Sequence, residues 1–210
     1  MIKVVPNITK QEYEKNPYAY WSAPKPLRGS TVVTNKLPDI SDSPLWAKNV
    51  LPEILRNSKH DLCLDLGCGG GRYIGHASEH FTKVIGIDFS EYNIERAAHD
   101  FSRIGNIEFL LSSLADISPI ETASVDFAYS AAVFLHMPND IKRAALKELS
   151  RVLKPEGNAV LIEITPIVKG AFDCPDISTT EWQGMIKDAG LKLDSDTDAN
   201  PFRKYKLNKI

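Results

Sequence analysis

The sequence predicts an α/β fold, a doubly wound and mostly parallel sheet with helices on both faces. Three observations predict it. Short apolar runs of strand length alternate with helix-period apolar stripes through roughly residues 60–195. One run, Leu62-Cys63-Leu64-Asp65-Leu66, leads directly into the glycine-rich turn Gly67-Cys68-Gly69-Gly70-Gly71-Arg72. The next, Val84-Ile85-Gly86-Ile87, ends on an acid, Asp88. Successive strand–helix–strand units cross over right-handedly, so their strands lie parallel.

Each element has its own signal. Residues 1–42 are rich in Pro, Asn, Ser and aromatics with poor periodicity, which predicts an arm or lid of little regular structure. Ser43-Pro44 starts a helix, an N-cap followed by proline in the first turn, with Leu45, Val50, Ile54 and Leu55 facing inward. After the strand ending at Asp88, Ser90 opens a helix with Ile94, Ala97, Ala98 and Phe101 inward, ending near Gly105. Residues 106–111 read as a third strand and 124–130 as a fourth. A helix over about 139–153 carries Ile141, Ala145, Leu149 and Val152 as its stripe. Ser178 and Glu181 have capping-box spacing before a helix with Trp182, Met185, Ile186 and Ala189 inward, stopped at Gly190. Residues 192–197 and 202–210 close the chain as strands, the latter alternating as an edge strand does.

Composition bounds the class. At 210 residues the chain fits one domain, an arm over 1–42 and a core over 43–210, long enough to bury a core without disulfides or metal. No N-terminal apolar segment reads as a signal peptide and no run approaches transmembrane length. Three cysteines, Cys63, Cys68 and Cys174, have no metal-like spacing, so reduced thiols and a cytoplasmic location are expected. His60, His76, His80 and His99 do not cluster as ligands, and no metal is expected. Residues 1–60 hold nine Lys/Arg against five Asp/Glu, and the remainder sixteen against twenty-two. An acidic body argues against a nucleic-acid substrate, whose phosphates call for a basic face. The basic arm favours an anionic small molecule or is simply a solvated surface.

The glycine turn and Asp88 together describe a socket for an adenosine-bearing cofactor. Gly67, Gly69 and Gly71 let the backbone turn sharply and leave bare peptide for a ligand. Asp88 stands about twenty residues on, where a carboxylate accepts hydrogen bonds from both ribose hydroxyls. A dinucleotide loop needs a third glycine five residues after Gly67, where Arg72 stands instead. The pattern present is Asp65-x-Gly67-x-Gly69-x-Gly71.

On these residues the chain resembles the class I S-adenosylmethionine-dependent methyltransferases, and of these the small-molecule, type 11-like group. The resemblance implies a Rossmann-like, seven-stranded sheet with an antiparallel C-terminal strand, and S-adenosyl-L-methionine as cofactor. Asp65-x-Gly67-Cys68-Gly69-x-Gly71 resembles the family's first motif, with Asp65 orienting the methionyl amine or holding the turn in shape. Asp88-Phe89-Ser90 resembles the second, with Phe89 against the adenine. Ser113 stands where the family usually has an Asp for the adenine amino group, while the backbone N–H of Leu114 stays available. Ala131 to His136 resemble the strand-end segment that meets the methionyl part, and Leu149 to Gly157 the helix-to-strand turn before the fifth strand. Arg72 or Tyr73 reaches the methionyl carboxylate or makes surface salt bridges.

The implied chemistry is an in-line displacement onto a small-molecule acceptor. Alignment supplies much of the rate, roughly 7–11 kcal/mol of the barrier. His136 is the candidate base for an acceptor that must lose a proton, or it shapes the turn into Met137-Pro138. Tyr18, Tyr20 and Trp21 close over the site as a lid or anchor the arm. The fourth strand runs into Ser130-Ala131-Ala132-Val133, not the Asp/Asn-Pro-Pro-aromatic segment of enzymes that methylate base or glutamine amino groups. A non-catalytic cofactor-binding module, or an RNA or protein methyltransferase, are the alternatives.

Overall fold

The computed structural model describes residues 50–57, 61–163, 177–199 and 202–210. The expected arm, its aromatic trio Tyr18, Tyr20 and Trp21, the Ser43-Pro44 helix start, His60 and Cys174 lie outside the described residues.

Seven strands form one sheet in the order β3-β2-β1-β4-β5-β7-β6. They are β1 (Leu62–Leu66), β2 (Lys83–Asp88), β3 (Ile107–Leu111), β4 (Val125–Ala131), β5 (Leu153–Glu163), β6 (Leu191–Ala199) and β7 (Phe202–Lys209). Neighbours from β3 to β5 pair in parallel, and β7 runs antiparallel to both β5 and β6. The helices are α1 (Leu51–Arg56), α2 (Ile74–Ser78), α3 (Glu91–Asp100), α4 (Asn139–Val152) and α5 (Thr179–Asp188). The Rossmann-like expectation holds, including the reversed C-terminal strand.

Strands buried on both faces need two cores, and two are present. On one face Leu64, Leu66, Ala128 and Leu161 pack against Leu146 and Leu149 of α4 and Trp182 and Ile186 of α5. On the other, Cys63, Phe127, Tyr129 and Ile162 pack with Ile54 of α1, Ile74 of α2 and Phe101 beyond α3. Trp182 sits edge-on to Phe134 at 5.6 Å and to Tyr205 at 6.0 Å. It thereby ties α5 to β7 and to the turn after β4.

The helix caps follow the sequence. Ser90 accepts from the Asn93 N–H at 3.3 Å and opens α3. The reciprocal Ser178–Glu181 box opens α5, and Gly190, at φ +78°, ends it.

Four expectations differ. Leu55 is 49 % exposed, because six-residue α1 turns only the Val50/Ile54 side to the sheet. Ala98 also faces solvent, since Ala97 and Phe101 carry the inward stripe of α3, and that helix ends at Asp100 rather than near Gly105. Residues 153–157 form no separate turn. β5 begins at Leu153, and its register against β4 jumps from Val125–Leu153 to Phe127–Asn158.

Gly71 has φ +84°, and a Cβ there would stand 2.5 Å from the Phe101 ring and 3.2 Å from Ile74. Gly71→Ala therefore adds left-handed strain to overpacking, an expected loss of roughly 2–5 kcal/mol in urea unfolding. Gly105→Ala, where a Cβ meets nothing within 4 Å, serves as the reference and changes stability little.

Candidate functional site

Parallel α/β sheets bind ligands beyond the carboxyl ends of their strands, where the strand order reverses. Here that point lies between β1 and β4, which pair directly. A cavity of about 520 Å³ opens there. This size lies within the usual range for a small-molecule site. Of the residues singled out from sequence, Asp65, Gly67, Cys68, Gly69, Asp88, Phe89, Ser113, Leu114, Ala131 and His136 all line it, as do Arg72 and Tyr73. Gly71 does not. It serves the packing of the loop on Phe101 and Ile74.

The glycines divide the work. A Cβ on Gly69 or Gly70 would meet nothing within 4 Å, so bare peptide faces the cavity at both. Gly67, at φ +74°, has another partner. A Cβ there would lie 2.5 Å from Cγ1 of Val133, so the β4 turn fills the space that Gly67 leaves. Gly67 and Cys68 also donate to the Ile87 carbonyl, at 2.8 and 2.9 Å, which joins the loop to the end of β2.

Asp88 ends β2 at 8 % exposure. One carboxylate oxygen accepts from the Gly69 N–H at 2.9 Å, the other from the Ser90 N–H at 2.9 Å and the Asn93 amide at 3.4 Å. Burial pushes this carboxyl above its usual range, and those three donors pull it back. A carboxylate has about four acceptor sites, so capacity is left for a ligand hydroxyl.

Asp65 is more unusual. It is 4 % exposed, and its Oδ2 has no hydrogen-bond partner. Burial pushes its carboxyl up to about 7, while the neighbouring Tyr129 hydroxyl pulls down and the Asp88 charge pushes further up. Such an acid suits a cationic ligand group that would complete it.

Ser113 Oγ already accepts from the Ala115 N–H at 3.2 Å, which leaves its hydroxyl proton and one lone pair for a ligand. The loop carrying Ser113 and Leu114 is tied to α4 through Ile117. Its N–H donates to Glu148 at 3.0 Å and its carbonyl accepts from Arg151 at 3.0 Å.

His136 ends the short 3-10 turn Phe134–His136, and its N–H donates to the Val133 carbonyl at 3.0 Å. Sequence reasoning missed what holds this turn. Glu163, at the end of β5 and 2 % exposed, accepts from the N–H groups of Val133 (3.3 Å), Phe134 (3.2 Å) and Leu135 (3.0 Å) and from the Ser130 hydroxyl (3.3 Å). Ala132, just before, is held at φ +59° with its N–H on the Ile162 carbonyl at 2.8 Å. An acid closing an apolar strand was the available signal, but its partners lie about thirty residues away. Among the described residues no three His, Cys, Asp or Glu side chains group to hold a metal.

Residues 64–161 match the model of the family described as a methyltransferase domain. Over those residues the chain carries the methyltransferase domain and is similar to the class I S-adenosylmethionine-dependent methyltransferases. It is similar to an O-methyltransferase, cnsE, of Penicillium expansum, 26 % identical over 85 % of this chain and 66 % of that protein. It also resembles a demethylmenaquinone methyltransferase of Lactococcus lactis, 38 % identical over 61 % of this chain and 54 % of that one. A solved SAM-dependent methyltransferase of Aquifex aeolicus is 25 % identical, with a TM-score of 0.68, over 82 % of this chain and 94 % of that chain. The chain spans about half to two thirds of the length of the curated relatives it matches first. The family's cofactor is S-adenosylmethionine. The residues present fit it: open peptide at Gly69 and Gly70, and a buried acid with an unmet oxygen.

The two acids raised to about 7 have a consequence for stability. For Glu163 burial is the cause, opposed by its four donors. Folded protein keeps a proton on each acid that the unfolded chain releases at lower pH, so their contribution is complete at low pH. It is lost as pH rises from the ordinary carboxylate range through about 7, and then levels off. Each pKa unit corresponds to about 1.4 kcal/mol. Urea midpoints from pH 4.5 to 8.5 should therefore show Glu163→Gln falling less steeply than wild type below pH 7 and running parallel to it above.

Proposed function

We propose that this chain transfers a methyl group from S-adenosylmethionine to a small-molecule acceptor. The observation that carries the reading is Asp65, Asp88 and the open peptide of Gly69 and Gly70 converging on one cavity from two strand ends. Asp88 holds the ribose, Phe89 and Leu114 flank the base, and Asp65 takes the amine of the methionyl part. When bound, the cofactor supplies an electrophilic methyl group on a sulfonium.

The chain's own residues then align, exclude water and handle a proton. The wall beyond Ala131 is made of Val133, Met137, Pro138 and Ile141, apolar side chains that suit an uncharged organic acceptor. His136 is the imidazole on that wall, and it takes the proton of an acceptor hydroxyl or amine. Relatives named O-methyltransferases support an oxygen acceptor, and the demethylmenaquinone enzyme supports a quinone-class acceptor. Both are small-molecule chemistry.

Thermal unfolding tests the reading. S-adenosylhomocysteine at a hundred times its Kd should stabilise the protein by about 2.7 kcal/mol. Asp88→Ala should weaken its binding by roughly 1–3 kcal/mol, since a buried, charge-assisted contact is removed. A rise in melting temperature with reduced nicotinamide dinucleotide, and none with S-adenosylhomocysteine or S-adenosylmethionine, would make the protein a dehydrogenase instead.

A further inference from the structure

At the cavity floor and just beneath it lie two buried polar groups that the proposed reaction does not use as a pair. Asp65 on β1 and Tyr129 on β4 are register partners in adjacent parallel strands, so both side chains leave the sheet on the same face. Tyr129 is completely buried and does not line the cavity, whereas Asp65 does. Buried polar atoms almost always find a partner. Here Asp65 Oδ2 and the Tyr129 hydroxyl both have none with hydrogen-bond geometry.

The surroundings show what each can do. Asp88 at the end of β2 is the nearby charge, and it opposes ionisation of Asp65. Cys63 on β1 and Cys68 on the loop are thiols pushed well above their ordinary range by burial, hence neutral at physiological pH. Burial likewise pushes the Tyr129 hydroxyl far up, so it stays a donor. From α1 the buried acid is Glu53, held by Lys204 at 3.2 Å and Lys206 at 2.9 Å. Arg72 and Tyr73 line the cavity at the start of α2, and no described Lys, Arg or His forms an ion pair with Asp65. Among the described residues one group favours the anionic form of Asp65, and that is the Tyr129 phenol.

Building on the cofactor reading above, we propose that Tyr129 is a positioning residue for the cofactor's amine. Its hydroxyl donates to Asp65 from below, favours the carboxylate over the acid, and turns it toward the cavity, where it meets an ammonium group. Tyr129 acts only through Asp65, because it does not reach the cavity.

Two probes isolate this role. S-adenosylhomocysteine carries the amine, and 5′-methylthioadenosine keeps the nucleoside and thioether but lacks it. Titration calorimetry from pH 5.5 to 9 should show wild-type affinity for S-adenosylhomocysteine rising up to about tenfold per pH unit, then levelling once Asp65 is ionised. Tyr129→Phe should move that midpoint upward by about one unit, costing about tenfold at pH 7 and little at pH 9. Affinity for 5′-methylthioadenosine should not change. Adding Tyr129→Phe to Asp65→Asn should have no further effect on either ligand, as one shared pathway requires. An unmoved midpoint in Tyr129→Phe, or equal loss of both ligands, overturns the proposal while leaving the cofactor reading intact. Failure of wild type to bind either probe overturns both.

Discussion

The cavity depends on one contact, the seating of Val133 in the space that Gly67 leaves. The two residues come from loops at the ends of β1 and β4, adjacent strands at which the sheet changes winding direction. Chains leaving such a point diverge, and without a tie across it the crevice would vary in width. The tie is steric, and therefore intolerant: Gly67 has a positive φ and no room for a methyl group. Glu163 secures the other half by gathering three successive N–H groups of the β4 turn onto one carboxylate. Trp182 supports the same turn through Phe134, in the core that Val133 also packs against. The loop, the turn and the third wall at Leu114 thus share one frame, though nearly fifty residues of sequence separate Gly67 from Leu114.

Much of this frame was legible in the sequence, for a definite reason. Strands buried on both faces are written as unbroken apolar runs, and their order follows from crossover geometry. The ends of those runs are where polar residues reappear, so Asp65, Asp88 and the Gly67 turn stand out against an apolar background. Caps are equally local, and Ser90, Ser178 and Gly190 act where their spacing places them. What stayed hidden is pairing across strands. Glu163 reads as an ordinary strand-ending acid until β5 is laid beside β4. Tyr129 reads as core until its register with Asp65 is known. Gly71 misled for the opposite reason. Its regular spacing suggested contact with a ligand, whereas its missing side chain makes room for Phe101, thirty residues away.

Leu55 and Ala98 show the limit of stripe reasoning in short helices. A six-residue helix presents barely more than one turn, so Glu53 and Ile54 take up its inward side and Leu55 is left facing out. In α3 the inward set narrows to Ala97 and the following Phe101, and a neighbouring Ala98 costs little in water. Small residues are the least informative about facing, because little apolar area rides on the choice.

The site also concentrates unfavourable electrostatics. Asp65, Asp88 and Glu163 are all buried acids at strand ends, and among the described residues none is paired with a cation. Neutral donors, backbone N–H groups with the Asn93 amide for Asp88 and the Ser130 hydroxyl for Glu163, carry the load of those two acids, while Asp65 is left short by one partner. Replacing the three by apolar residues would relieve that burial cost and destroy the reason for bearing it. An acid already desolvated by the fold needs no further desolvation when a ligand arrives, so its attraction for a cationic or hydroxyl-bearing group is delivered almost in full. An electrostatic cost that lowers folding stability is in this sense stored affinity, and its location at the cavity edge shared by β1, β2 and β4 fits a ligand site better than a flaw in the core.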